Sequence, residues 1–382
     1  MNIVLLCGEY PPCNNGGIGT FSKELAEGLS KSGNNIVVIG LYEKAYLDID
    51  KQIEETINNV KVIRIPYKKY TGVSYIDAII NRLVYSSFVN NYIESSQIDL
   101  IESYDTNGFY ILKPKIPFIT RLHGTTTYFG NELKRPYSKF ISYFEKSQLK
   151  NSDCIIGVSK YVLEKTIEYF GITQNKKQTE VIYNSIREVN NETRYAAEST
   201  NIVYHGTLNL KKGIIQLIHA MNTIWKRKSN FQLILIGKVS DSFKNQINTI
   251  VTSDYKSNIK FVNHCSKEDL KGFLTNARCC VYPSFSECFA LAPMEAMAVG
   301  TPVVYSSLHS GKELIESGVN GILVDPNNIE ELANSILYLI DNPLEAETIG
   351  QQGKIKIQTR FSYENWLIEN ENMYRTIINS KK

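Results

Sequence analysis

The sequence predicts an α/β protein of two halves, each built on a mainly parallel sheet covered on both faces. Three observations predict it. Short apolar runs alternate with amphipathic stretches through the first part of the chain, a polar stretch without periodicity interrupts them at Val189–Asn201, and the alternation then restarts. Strand–helix alternation of this kind is the pattern of βαβ units. At 382 residues the chain is too long for one typical domain and about right for two.

In the first half, residues 1–190, the runs Ile3–Leu6, Ile36–Gly40, Val60–Ile65, Leu100–Glu102, Phe118–Leu122 and Cys154–Val158 read as strands. Phe21–Ser30 and Tyr75–Tyr92 have helical periodicity between them. In the second half, residues 191–360, strands are expected at Ile202–His205, Gln232–Gly237, Ile259–Val262, Arg278–Pro283, Pro302–Tyr305 and Ile322–Val324. Helices separate them at Ile214–Trp225, Lys267–Thr275, Pro293–Val299 and Ile329–Leu339. Ligands of open parallel sheets bind outside the carboxyl ends of the strands, so the loops there are the first place to look for chemistry.

Composition excludes several classes. The chain is 43% hydrophobic and 21% charged, ordinary for a soluble globular protein. Up to residue 190 there are 22 basic and 20 acidic residues, and 20 and 19 after it, so neither half has the field of a nucleic-acid binder. Seven cysteines without metal-ligand spacing, two of them adjacent at Cys279-Cys280, fit a reduced cytoplasmic protein rather than a disulfide framework. Met1–Leu6 reads as a first strand rather than a signal peptide, and no apolar run approaches a membrane span. The expected location is the cytoplasm, with any membrane association peripheral and at the inner face.

The string from Ser284 to Val304 is the most informative. It sets two carboxylates, Glu287 and Glu295, around the start of an expected helix. Pro293 suits a first helical position, because its missing N–H has no partner there anyway. Glu295 then falls in a first turn, where the helix dipole favours a carboxylate and unpaired amides favour phosphate. A carboxylate beside bound phosphate repels it unless it faces hydroxyls instead, which points to a nucleotide sugar. Glutamate in a first turn is also common in helices of no special function, and Met294, Met297, Ala298 and Val299 would serve a core equally well.

The surrounding string decides between these readings. Glu287, Glu295-Ala-Met-Ala298, Gly300-Thr-Pro-Val-Val304 and Asn320-Gly-Ile-Leu-Val-Asp-Pro326 stand in the order of the signature of retaining glycosyltransferases of family four, which this chain resembles over nearly its whole length. The likeness is strongest over Val203–Asp325 and Gly16–Leu29, and weakest at residues 41–110, where acceptor-specific structure lies in the family. It implies the GT-B fold, two Rossmann-like domains whose sheets face across a cleft. Residues 1–190 would be the acceptor-side domain, 191–360 the nucleotide-sugar donor domain, and the last helix, Phe361–Ile378 within 361–382, would cross back to the first.

The resemblance also implies roles. Glu295 would hold the ribose diol and Glu287 hydroxyls of the transferred sugar, with Phe289, Ala290 and Leu291 also binding the donor. In Gly206-Thr-Leu-Asn-Leu-Lys-Lys-Gly213 the family shows Arg and Lys clamping the diphosphate. Lys212 matches, whereas Thr207 stands where Arg is common. A charge-assisted hydrogen bond is worth roughly 1.5–3 kcal/mol, so that swap matters unless another group replaces it. Gly16 and Gly17 lie in a Gly-rich strand–helix turn that fails the G-x-G-x-x-G spacing of dinucleotide enzymes but resembles the family's diphosphate loop. His123, after the strand Phe118–Leu122, matches the family's active-site histidine. Asn184 reads as a hinge or turn residue, and His264 falls where backbone holds the nucleobase. Asp48-Ile-Asp50 is formally D-x-D, but it lies far from the phosphate loops, and no metal or other cofactor is expected.

The expectation is therefore a retaining hexosyltransferase of polysaccharide or glycoconjugate assembly, acting on a glycan or lipid-linked acceptor, with His123, Lys212 and Glu287 in the chemistry. A nucleotide-sugar epimerase of the same architecture and a turnover-deficient binding subunit are the rivals, the second kept open by Thr207. Residues 111–150 hold eight basic and two acidic residues, with aromatics interleaved over 128–150. That stretch reads either as a helix lying on an anionic membrane surface or as one packing its aromatics inward.

Overall fold

A computed structural model describes residues 1–13, 16–44, 47–173, 177–187, 195–263 and 265–381. It forms two compact units, Met1–Tyr183 with Glu364–Lys382, and Asn184–Tyr363. Residues 189–194 of the polar stretch, and His264, lie outside the described residues.

The first unit holds an eight-stranded sheet. In chain order the strands are β1 (Asn2–Leu6), β2 (Asn35–Tyr42), β3 (Ile53–Ile57), β4 (Val60–Pro66), β5 (Leu100–Tyr104), β6 (Phe118–Leu122), β7 (Cys154–Gly157) and β8 (Gln178–Val181). Their spatial order is β3-β4-β2-β1-β5-β6-β7-β8, parallel throughout except for β3. Central strands β5 and β6 are buried at every position, as strands covered on both faces should be, although each carries one charged side chain, Glu102 and Arg121. The β3–β4 hairpin was not expected. Its turn residues Asn58 and Asn59 both take positive φ, 49° and 64°, as a two-residue primed turn needs. The strand itself is hidden in the sequence because Glu54-Glu55-Thr56 faces solvent at a sheet edge.

The helices of this unit are α1 (Gly17–Lys31), α2 (Ser74–Ser95), α3 (Thr126–Glu132), α4 (Lys139–Asn151) and α5 (Lys160–Phe170). The basic aromatic stretch is therefore two helices, with Pro136 in the break between α3 and α4. Tyr128 and Phe144 are buried, while Tyr143 is 69% exposed. The stretch is divided, with some rings packed inward and Tyr143 in solvent.

The second unit carries a fully parallel six-stranded sheet of β9 (Asn201–His205), β10 (Gln232–Ile236), β11 (Ile259–Val262), β12 (Cys279–Tyr282), β13 (Val303–Ser306) and β14 (Ile322–Val324). The order is β11-β10-β9-β12-β13-β14. Strand order reverses between β9 and β12, so the crevice outside their carboxyl ends is the topological switch point. Helices α6 (Ile214–Trp225), α7 (Asp241–Ile250), α8 (Lys267–Thr275), α9 (Leu291–Ala298), α10 (Gly311–Leu314), α11 (Ile329–Asp341) and α12 (Pro343–Arg360) complete the unit. Cys279 and Cys280 are buried in β12, and burial pushes the Cys279 thiol up to about 12.

The last helix, α13 (Tyr363–Ser380), joins the first unit from Glu364 onward. Its Tyr374 hydroxyl donates to Glu102 at 2.6 Å, and Asn370 accepts from Arg121 at 2.5 Å. Arg121 in turn grips Glu102 through Nε and Nη2 at 2.7 and 3.0 Å, with both side chains fully buried. A buried ion pair is tolerated only when its remaining lone pairs and protons are satisfied, which Tyr374 and Asn370 help to do.

Candidate functional site

Two clusters gather predicted residues, one in each unit. The cluster of the second unit starts at the carboxyl end of β9, where His205 is followed by Gly206-Thr207 and a tight turn. The Asn209 side chain accepts from Lys212 N at 3.2 Å and closes that turn. Gly213 then takes a φ of 69°, and a Cβ there would run into the carbonyl of Pro283 in the loop after β12. Phe285 N donates to Lys211 O at 2.8 Å, so the two loops are held edge to edge. This close approach lets the Lys212 ammonium pair with Glu287.

Glu287 is only 14% exposed. Burial alone would raise its pKa, but the charges of Lys212 and Lys211, with hydrogen bonds from Lys212 and Ser284, hold it below the usual carboxylate range. Adjacent side chains seldom point the same way, yet the charge of Lys211 acts on the same carboxylate as that of Lys212. Thr207 is exposed beside the turn, its carbonyl accepting from the Tyr204 hydroxyl at 3.1 Å.

Helix α9 begins at Leu291, not Pro293, with Ala290 as its N-cap. Pro293 is thus the third helical position and Glu295 the fifth. The dipole argument for Glu295 in a first turn fails, because that helical end lies one turn away. What holds Glu295 ionised is a side chain the sequence reading missed. His205 Nε2 lies 2.7 Å from Glu295 Oε2, and His205 Nδ1 lies 2.7 Å from the Tyr282 hydroxyl. Burial works to raise the Glu295 pKa, and the hydrogen bond and charge of His205 outweigh it, so the carboxyl sits low. Burial raises the Tyr282 pKa well above its ordinary value, which keeps the phenol a donor. A carboxylate only accepts, so the His205 Nε2 carries a proton and donates it toward Glu295. Glu295 remains 38% exposed and able to accept from a ligand.

The strand-end position of His205, facing the crevice of a parallel sheet, was the available signal. It was passed over because the neighbouring Gly206, Lys212 and Gly213 carried the motif. Tyr204 and Tyr282 have ring centroids 5.8 Å apart. Phe289 is buried, its ring 5.4 Å from that of Phe361, and its carbonyl accepts from Asn184 Nδ2 at 2.8 Å. Only the backbone of Phe289, with Ala290 and Leu291 at the start of α9, is placed for a ligand. Asn184 is a brace for that loop.

In the first unit α1 starts at Gly17, four residues before the expected position, with Gly16 at φ 117°. A Cβ at either glycine would meet open space, whereas one at Gly19 would run into the Glu9 carbonyl. Gly19 therefore seats the helix, and Gly16 and Gly17 leave its first amides uncovered. His123 follows β6. Its amide and that of Gly124 donate to the two oxygens of Asp105, each at 3.0 Å. The imidazole sits between Phe21 and Tyr104, with centroids 4.5 and 5.0 Å away, and its buried Nε2 has no protein partner. Burial, with the nearby Arg121 charge, lowers its pKa to about 3. Burial raises Asp105 to about 7 against the two amide bonds that lower it. Asp105 follows β5 directly, a strand-end signal like that of His205.

Comparison with known proteins agrees with this fold. Residues 185–356 match the family described as Glycosyl transferases group 1, and residues 15–188 match Glycosyltransferase Family 4. An uncharacterized glycosyltransferase of Methanocaldococcus jannaschii is 32% identical over 340 residues, covering 87% of this chain and 89% of its own. The capsular polysaccharide biosynthesis glycosyltransferase CapM of Staphylococcus aureus is 29% identical over 182 residues, 46% of each chain. Among solved structures, Anabaena HepE in complex with UDP-glucose superposes with a TM-score of 0.78 at 18% identity, over 98% of this chain and 100% of that one.

Proposed function

The chain belongs to the glycosyl transferases group 1, nucleotide-sugar-dependent enzymes with the GT-B fold, and we propose that it is a retaining hexosyltransferase of polysaccharide or glycoconjugate assembly. The observation that carries the reading is the pair of ionised carboxylates at one switch point. Glu287 is countered by Lys212, and Glu295 is held by His205 and Tyr282. Both carboxylates are acceptors suited to hydroxyls, and the lysine beside them is suited to a diphosphate.

In this reading the unit Asn184–Tyr363 is the donor domain. Glu295 accepts from the ribose hydroxyls, and Glu287 from hydroxyls of the transferred hexose. Lys212, freed in part from Glu287 as the diphosphate arrives, stabilises the charge that grows on the leaving group, with the first amides of α9. Thr207 adds one neutral hydrogen bond where Arg is common, and Lys211 supplies the second positive charge. His123, held neutral by burial, orients a sugar hydroxyl through Nε2 rather than countering charge. The departing phosphate oxygen takes the acceptor proton on the face it leaves, which retains the anomeric configuration. Two lysines and helix amides would supply the charge stabilisation without a metal ion, so EDTA should leave the rate unchanged. The acceptor is a glycan or a lipid-linked glycan, and the reaction is expected at the cytoplasmic side.

The test is a thermal-shift titration with UDP, GDP, ADP and dTDP, with EDTA or magnesium, on the native chain and Glu295→Ala. At 100 times Kd a diphosphate adds about 2.7 kcal/mol. Stabilisation of the native chain alone by one of them, regardless of metal, names the donor class. Silence to all four favours the binding-subunit reading and makes Thr207→Arg the variant to try.

A further inference from the structure

Helix α2 is apolar on two faces. Tyr85, Val89 and Ile93 point into the first unit's core, while Val73, Ile76, Ile79, Leu83 and Val84 stand in solvent around its first three turns. Ile76 is 47% and Leu83 44% exposed. The outer face turns polar only at Ser87 and Asn91. A surface helix normally turns its charged and polar residues outward, whereas here Asp77, Asn81 and Arg82 are buried and the apolar side chains stand outside. The exposed face continues onto α4: Tyr75, 65% exposed, packs on Phe140 at 5.1 Å, and Phe140 packs on Phe144 beside the exposed Tyr143. Seven large apolar side chains thus form one patch, beyond the scattered exposure usual on a surface.

Cations border the patch, and the exposed carboxylate of α2, Glu94, stands at the far end of the helix, paired with Lys115 at 2.9 Å. Lys68, Lys69, Lys134, Arg135 and Lys139 are exposed on the adjoining segments. The carboxylates there are turned inward. Asp77 is buried under the amides of Tyr70, Thr71 and Gly72, Glu145 accepts from Thr126 N at 2.7 Å, and Glu132 accepts from the Tyr161 hydroxyl at 3.0 Å. Apolar side chains set among outward cations and inward anions match the boundary of an anionic bilayer, where acyl chains take the first and headgroups the second.

We propose that the outer face of α2, with Tyr75 and Tyr143, docks this protein on an anionic lipid surface. The interaction stands independently of the transfer reaction. The test is co-sedimentation of the full chain with vesicles of phosphatidylcholine alone and of phosphatidylcholine mixed with phosphatidylglycerol. Binding to the mixed vesicles should be weakened by salt. Ile76→Ser/Ile79→Ser/Leu83→Ser should bind at least roughly tenfold more weakly, with an unchanged melting temperature without lipid. Lys68→Ser/Lys69→Ser should lose the salt-sensitive part alone. Equal binding by native and triple-serine chains would overturn the proposal, as would no vesicle binding by the native chain. A native dimer in sedimentation velocity that the triple variant dissolves would also overturn it, assigning the patch to a second copy.

Discussion

At the residue scale, Glu295 shows how one neighbour sets the state of a group. Its helix position is ordinary, and its ionisation rests on His205, whose other ring nitrogen is bonded to Tyr282. His205→Phe removes the donor to a carboxylate, worth about 1.5–3 kcal/mol. The expected outcome is a nucleoside diphosphate Kd raised roughly 10- to 150-fold, read by calorimetry, with partial recovery in His205→Asn. An unchanged Kd in His205→Phe would detach Glu295 from the ligand. Lys212→Ala and Glu287→Ala should each abolish most donor turnover, and normal rates in both would sink that assignment. Of these residues, Lys212, Glu287 and Glu295 were legible because they sit in an ordered motif. His205, Tyr282 and Asp105 were not, because their partners are distant in sequence.

At the element scale, the loops rather than the strands carry the constraint. Gly213 is the hinge of the turn that delivers Lys212, and its positive φ and the Pro283 carbonyl leave no room for a side chain. Gly213→Ala should cost about 1–3 kcal/mol, measured by urea unfolding, and should weaken diphosphate binding as Lys212 moves. The strands were legible wherever both faces are buried, since continuous apolar runs announce them. Strand β3 was not, because its register is set by its partner β4 and by the Asn58-Asn59 turn. Helix α9 begins two residues before Pro293, which the local signal could not place: proline marks a first turn, not a particular position in it.

At the scale of the whole molecule, α13 is bound to the strand ends of the first unit through Glu102 and Arg121. Tyr374→Phe removes a donor to a buried carboxylate and should lower stability by about 1.5–3 kcal/mol, seen as a lower Tm. His123 sets part of the acid response. Its folded pKa, about 3, lies below the ordinary 6.5, so between those values the unfolded chain binds the extra proton and stability is lost as pH falls. Asp105, raised to about 7, acts in the opposite sense between 3.8 and 7, binding its proton in the folded state. The stability gap between native and His123→Asn chains should therefore narrow as pH falls from 6.5 to 4.5, and a constant gap would contradict a neutral buried imidazole. By itself the sequence determined the two-part α/β architecture, the Lys212–Glu287–Glu295 motif and the family, because periodicity and motif order are written locally. Only the tertiary structure decided the His205–Tyr282 support, the Asp105 brace of His123 and the outward face of α2. Hydrogen bonds between strand ends, and burial itself, depend on which segments meet in space, and no local pattern encodes that.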